Sequence, residues 1–371
     1  MIEIRPVRTR RDKHAFLTFP WRIYQQDPLW VPPLLRAREK ATDPSQGAFF
    51  QGGYADFFTA TRDGRIAGTV CCSHEHGGER GECSLGFFEC VDDFAVAEAL
   101  FRHAADWARE HDLTMLCGTY NLDREEARGI LVEGRDRPPA ILCGHNPPYY
   151  PEFFERFGFV KRHDDGLAYA LDIDPQGRSI QRVQRLADRV RRRRDFTIRS
   201  ANLADLDGEI DRILLLQNRA LEHLPGYVPF TRHAVAGMLM PLVDLADPDL
   251  ILFAEVDGQA VGWFPAIQNF NEILIHLNGL RYPWDYVRAL RYKNLKPKGL
   301  SVKSVAVLPE YWDTGVAILL FAEMARRAIP KGYQWADFSL TGEDNPDTYN
   351  IAHHAGARIY KRYRFYKKEL V

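Results

Sequence analysis

The chain has 371 residues, with 49 Lys and Arg against 50 Asp and Glu and a formal net charge of −1, so no whole-chain field directs it to nucleic acid. Cys71, Cys72, Cys83, Cys90, Cys117 and Cys143 are irregularly spaced in the first half and do not read as a disulfide framework. The opening MIEIRPVRTRRDK has no signal-peptide apolar core and no run of about 18 apolar residues occurs, so the expected setting is a reducing cytoplasm with no membrane span.

Length alone suggests two domains. Residues 58–70, FTATRDGRIAGTV, predict two strands joined at Asp63-Gly64, because both central residues of a tight hairpin turn take positive φ. In CCSHEH the strand neighbours Cys71 and Cys72 point to opposite faces, so Cys71, Cys72, His74 and His76 are not expected to share a metal ion. Glu133, His145, Asn146, Tyr149 and Tyr150 lie in polar-aromatic segments around Asn-Pro-Pro. Such a segment suits either a rigid wall lining an interdomain cleft for substrate or a purely structural turn. PEFFERFGFV predicts a helix ended by Gly158.

Residues 178–199 hold nine arginines and two aspartates, and Ile180, Val183, Leu186, Ala187 and Val190 recur at helical spacing. This basic linker helix, taken as 177–194, is either a solvated face or a docking patch for an anionic membrane surface or an acidic carrier protein. Residues 252–264, LFAEVDGQAVGWF, then repeat the hairpin pattern at Asp257-Gly258, and NIAHHAGARI repeats the glycine-ended helix at Gly356. Gly64 and Gly258 are 194 residues apart, and Gly158 and Gly356 are 198 apart. Two near-equal offsets predict two copies of one α/β unit, over 1–176 and 195–371. Asn271 and Glu272 lie between two strand-like stretches, and a carboxylate there is a residue type that serves as a general base; Glu222-His223 is a comparable pair. Phe264, Tyr282 and Trp284 suit either a tunnel for a long chain or the core.

Residues 301–329, SVKSVAVLPEYWDTGVAILLFAEMARRAI, predict a strand, a turn and a helix opened by Gly315. A helix N-terminus offers unpaired N–H groups to phosphates, and glycine admits close approach. Here the chain resembles the acyl-CoA motif of the GNAT superfamily, a strand followed by Gln/Arg-x-x-Gly-x-Gly/Ala. Gly315, Val316 and Ala317 match its end, while Trp312 replaces the Arg or Gln, and Asp313 or Thr314 is suited to cap the helix. The segments PWRIYQQDPLWVPPL, GFFECVDD, GILVEG, HNPPYYPEFFERFGF and the closing GEDNPDTYNIAHHAGARIYKRYRFYKKEL are similar to signatures of a bacterial tandem-GNAT family across essentially the whole chain.

The resemblance implies an α/β (α+β) fold of two tandem GNAT-like domains, each a mixed, mostly antiparallel sheet flanked by helices. It implies N-acyl transfer from an acyl thioester, acyl-CoA or the phosphopantetheine of an acyl carrier protein, to a small-molecule or lipid primary amine, without a metal. Some bacterial ceramide synthases are enzymes of this kind, so acylation of a sphingoid base is one instance. The C-terminal copy is then the donor side, with Val305, Ala306, Val307, Trp312, Asp313, Thr314, Gly315, Val316, Ala317 and Asn350 as donor-binding candidates. Glu272, Tyr349 and Asn345 are the catalytic candidates, with His353 and His354 as further bases. The acid Tyr of many GNAT enzymes falls at Ala352. A Fem-type aminoacyl-tRNA-dependent transferase and a catalytically silent acyl-ligand-binding protein are the alternatives. Peripheral contact with the inner membrane through the Arg-rich helix is the expected partner surface.

Overall fold

A computed structural model describes residues 1–76, 81–122, 126–223, 227, 229–243, 246–303, 305–344, 352 and 356–370. Its strands, in chain order, are β1 (Ile2–Pro6), β2 (Gly53–Arg62), β3 (Arg65–Glu75), β4 (Glu82–Cys90), β5 (Met115–Gly118), β6 (Ile130–Glu133), β7 (Val160–Lys161) and β8 (Gly166–Asp172) in the first half. The second half contributes β9 (Thr197–Ser200), β10 (Ile251–Val256), β11 (Gln259–Gln268), β12 (Gly299–Val302), β13 (Ala306–Val307), β14 (Trp335–Gly342), β15 (Arg358–Arg364) and β16 (Tyr366–Glu369). One sheet runs β1-β2-β3-β4-β5-β16-β7, the other β6-β15-β8-β14-β12-β11-β10-β9 with β13 on β11. Both are antiparallel except for one parallel pair in each, β4 with β5 and β12 with β14.

The two halves repeat one local design. Asp63-Gly64 and Asp257-Gly258 take φ of 51° and 73°, and of 50° and 78°, as a tight hairpin turn requires. Four residues later each copy carries a glycine beneath a helix. A Cβ on Gly68 would meet Leu100 and Val96 of the helix Phe94–Glu110, and one on Gly262 would meet Val316 and Leu320 of the helix Val316–Ala328. In both, the strand's bare backbone receives an i, i+4 pair of helix side chains.

Hydrogen bonding crosses the boundary at residue 176. Strand β8 of the first half inserts between β14 and β15, pairing Asp172 with Trp335. Strand β16, at the end of the second half, inserts between β5 and β7, pairing Tyr366 with Gly118. Each half therefore completes the sheet of the other. The helix Arg178–Arg191 packs Ala187, Val183 and Val190 onto Leu319 and Ala322 of the helix Val316–Ala328, and Gln184 Nε2 donates to the Ala322 carbonyl at 2.9 Å. Its arginines stay at the surface, the division that its helical spacing predicts. Phe264 is core, packed on Phe321 and Phe338, whereas Tyr282 and Trp284 are 38% and 64% exposed.

Candidate active site

The second half carries a strand, a turn and an uncapped helix end. Strand β12 pairs in parallel with β14 up to Val302 and Phe338. The chain leaves that register, rejoins β11 at Ala306–Val307, and turns through a 3₁₀ segment, Pro309–Thr314. Gly315 follows with φ 88° and ψ 8°, and no side chain caps the helix Val316–Ala328. Thr314 donates its hydroxyl back to the Tyr311 carbonyl at 2.6 Å rather than capping. The first N–H groups, Val316 and Ala317 among them, are thus left for a ligand. Ala306 is buried against Trp263, Val307 is half-buried, and Val305 and Asp313 are exposed. Trp312 folds back, donating Nε1 to the Val307 carbonyl at 2.8 Å, with His223 5.1 Å from its ring.

Val190 sits against this turn: a Cβ on Gly315 would lie 2.5 Å from its Cγ2. The exposed run Arg191–Arg194 therefore begins beside the open helix end. Gly315→Ala places a Cβ at positive φ and into Val190, and is expected to lower stability by about 1–2 kcal/mol. Thermal unfolding measures the loss.

In the first half the equivalent turn is closed. Asp93 caps the helix Phe94–Glu110, accepting from Ala95 N at 3.0 Å, and pairs with Arg62. A carboxylate satisfies the helix N-terminus there, so the two copies are not equivalent as anion sites.

What the first half offers instead is Glu89, on β4 beyond the point where β4 and β5 separate at Leu85 and Gly118. Its Oε2 accepts from Tyr150 at 2.7 Å and from Tyr24 at 3.0 Å. Burial raises its pKa from 4.5 to about 7, and the two phenols and Arg38 only partly oppose this. The residue as a whole is half-buried. Tyr24 and Tyr150 are pushed well above the usual phenol range, chiefly by burial, and stay protonated donors. Tyr149 donates to the Cys90 carbonyl at 2.8 Å, and His145 Nε2 meets Asp27 at 2.7 Å while its carbonyl accepts from Tyr24 at 3.0 Å. Of the five first-half candidates, Tyr150 bonds Glu89 directly, His145 reaches it only through Tyr24, and Tyr149 sits on the neighbouring Cys90 carbonyl; Glu89 itself is not among the candidates read from the sequence. Its signal lies in GFFECVDD, a carboxylate directly after the apolar pair Phe87-Phe88 on β4.

A second polar cluster lies on the β12–β14 face opposite the helix. Asp337, fully buried, accepts from Tyr360 on Oδ1 at 2.7 Å. Its Oδ2 accepts from Ser301 at 2.8 Å, Ser339 at 2.7 Å and Lys303 Nζ at 3.2 Å. Lys303 also donates to Ser339, and its Nζ is 3.5 Å from Cys143 Sγ. Burial works against the Lys303 ammonium, yet the Asp337 carboxylate outweighs it and the pKa is raised. Burial also pushes the Cys143 thiol up, against the pull of Lys303, so the thiol stays protonated. Cys143 and His145 are two residues apart, so their Cα atoms are within about 7 Å. The 143–145 loop thus touches both clusters, through the His145 carbonyl on Tyr24 and through Cys143 beside Lys303.

Other candidates lie elsewhere. Glu272 accepts from Lys298 N at 2.6 Å and Trp335 Nε1 at 3.0 Å, both oxygens engaged where the parallel strands begin. Ligands of parallel strands gather at their carboxyl ends, the opposite end from Glu272. Asn271, buried, donates to the Pro139 carbonyl at 3.0 Å and ties the 139–146 loop to the second half. Asn146 accepts from Leu131 N at 3.0 Å, and Glu133 is exposed beside Arg362. Glu222 pairs with Arg219 at 3.7 Å, and Ala352 is buried. Asn345, Tyr349, Asn350, His353 and His354 lie outside the described residues. Among the described residues no group of three or more His, Cys, Asp and Glu is placed to hold a metal ion, and no helix is long and apolar enough to cross a membrane.

Two strand–turn–helix units, one parallel pair in each sheet and terminal strands exchanged between sheets define a tandem GNAT fold. Two solved structures share it. A tandem GNAT protein from the clavulanic acid biosynthesis pathway has a TM-score of 0.60 at 14% identity, covering 100% of this chain and 98% of that one. A GCN5-related N-acetyltransferase from Sphaerobacter thermophilus has a TM-score of 0.55 at 14% identity, covering 99% and 95%. In sequence the chain is 29% identical over 381 residues to a protein named bacterial ceramide synthase from Caulobacter vibrioides (strain NA1000 / CB15N), covering 100% of this chain and 98% of the relative. It is 28% identical to Protein YghO of Escherichia coli (strain K12), covering 99% and 95%. No family model matches. The chain thus has the tandem GNAT fold of these structures, and it is similar over its full length to a protein named bacterial ceramide synthase.

Proposed function

We propose that the protein is an N-acyltransferase that moves a long acyl chain from a thioester, acyl-CoA or acyl carrier protein, to the primary amine of a sphingoid base. The full-length similarity to a bacterial ceramide synthase supports the acceptor class. The observation that carries the chemistry is Glu89, a half-buried carboxyl with a pKa of about 7 at the mouth of a parallel strand pair.

The donor's phosphate end fits the uncapped N–H groups of Val316 and Ala317 with the arginines after Val190 beside them. Its pantetheine arm then follows Val305–Val307 toward the junction. The acceptor arrives as an ammonium, whose nitrogen has no free electron pair. Glu89, ionised, accepts one proton, and Tyr24 and Tyr150 hold its Oε2 in place. The freed amine attacks the thioester carbonyl; the C–N bond forms, the C–S bond breaks, and the second proton lost by the attacking nitrogen balances the one that the departing thiolate takes, leaving amide and thiol. Lys303, charged and partly accessible, stands nearby as a positive group for that thiolate. In this reading the closed first-half turn leaves the acceptor to the first half and the donor to the second.

The test is incubation of the purified chain with sphinganine and a series of CoA thioesters from acetyl to stearoyl, with acyl carrier protein thioesters in parallel. Mass spectrometry should find N-acylsphinganine, with turnover rising with chain length. Acetylation of small amines alone would refute the long-chain assignment. Donor binding with no transfer to any amine would sink the enzymatic reading.

A further inference from the structure

Residues 281–298, RYPWDYVRALRYKNLKPK, form the helix Pro283–Ala289, a 3₁₀ turn over Leu290–Tyr292 and the approach to β12. Among the described residues, six of the thirteen exposed large apolar side chains fall within Tyr282–Leu295. Trp284, Val287 and Leu290 are 64%, 68% and 63% exposed. Their spacing of three places them on one side of the helix, the side turned away from the protein. The basic residues Arg288, Arg291, Lys293, Lys296 and Lys298 surround them, all exposed, and among the described residues none forms an ion pair. The single acid of the segment, Asp285, is 1% exposed and turned inward, accepting from Tyr282 N and from Asn278. The outer surface is thus apolar and cationic without an anion, in a chain whose net charge is −1.

We propose that this segment docks the protein on an anionic bilayer surface. Tryptophan, tyrosine and aliphatic side chains ringed by Lys and Arg match the headgroup boundary, where apolar groups enter the acyl edge and cations meet lipid phosphates. A nucleic acid would use the charge but leave the exposed Val287 and Leu290 without a partner. The Arg-rich helix Arg178–Arg191 has the charge but turns its apolar side inward onto Leu319 and Ala322. It therefore has nothing to insert.

The patch is continuous with the site. The Arg281 guanidinium lies 4.8 Å over the Trp21 ring, Trp21 meets Trp30 at 5.1 Å, and Trp30 stacks on Tyr24 at 4.8 Å. Tyr24 reaches Glu89. An aromatic wall thus runs from the proposed membrane face to the carboxylate, the path that a lipid amine would need. Vesicle binding is measured without turnover, so this proposal stands or falls separately from the acyl-transfer reading.

The experiment uses the full chain with vesicles of phosphatidylcholine alone and with about one-third phosphatidylglycerol. Co-sedimentation should occur with the anionic vesicles and weaken with salt. Lipids brominated in the acyl chain should quench tryptophan fluorescence in the wild type and much less in Trp284→Phe. Val287→Asp/Leu290→Asp should weaken binding by roughly tenfold or more with an unchanged melting temperature, since both side chains are in solvent. Three results would overturn the proposal. One is no binding by the wild type. Another is loss of binding in Arg192→Gln/Arg193→Gln but not in Val287→Asp/Leu290→Asp. The third is a concentration-dependent dimer, abolished by Val287→Asp/Leu290→Asp, without vesicle binding, which would make a second copy the occupant.

Discussion

Glu89→Gln is expected to lower kcat by about 100-fold to 10,000-fold, the usual contribution of a positioned base, and at the same time to stabilise the fold at pH 8. Both effects come from one cause. Burial raises the carboxyl from 4.5 to about 7, so ionising it in the folded chain costs about 3 kcal/mol more than in the unfolded chain. The sign follows from proton counting. Below pH 4.5 the group is protonated in both states and carries no penalty. As pH rises toward 7 the unfolded chain ionises first, and stability is lost until the folded carboxyl ionises too. The glutamine has no charge to bury and still offers an oxygen to Tyr24 and Tyr150. A gain of about 1–3 kcal/mol should therefore appear above pH 7 and vanish at pH 4. In the wild type, kcat/KM should rise through a limb near pH 7 that the variant lacks. A variant within about threefold of wild-type turnover, keeping that limb, would remove Glu89 from the chemistry.

The repeat was legible because its signals are local. Asp-Gly between apolar runs needs only neighbouring φ angles, and a glycine after a helix needs only one, so both hairpins and Gly158 announce themselves. Gly315 was legible for the same reason. The exchange of β8 and β16 between sheets was not, because strand partners are chosen across the whole chain and no local pattern encodes the choice. The site suffered most from this. Glu89 reads as one of three acids in GFFECVDD until Tyr24, 65 residues away, and Tyr150, 61 away, are folded onto it. Glu272 misled in the opposite direction. A carboxylate between two strands reads as a base, but the three-dimensional structure uses its oxygens to hold Lys298 N and the Trp335 indole. Cys143 and Lys303, 160 residues apart, carry no sequence sign that they meet.

Asp337→Asn is expected to cost about 3–5 kcal/mol, because it strands the Lys303 ammonium beside a dry, fully buried site. Lys303→Met should cost less, since the carboxylate left behind keeps hydroxyl donors from Ser301, Ser339 and Tyr360. The double variant Asp337→Asn/Lys303→Met removes both charges at once and should recover much of the loss, leaving a positive coupling of about 1–3 kcal/mol in urea unfolding. Additive single effects would mean that the two charges do not stabilise one another in the folded protein. The same double variant separates structure from chemistry. If Lys303 serves only to neutralise Asp337, the refolded double variant acylates at the wild-type rate. If its ammonium also receives the departing thiolate, stability returns while kcat stays low and KM for the donor is little changed. The second outcome is expected. Lys303 lies where β12 leaves β14, and its side chain remains 16% exposed while its partner Asp337 is sealed. The ammonium, unlike the sealed carboxylate, is therefore open to a ligand.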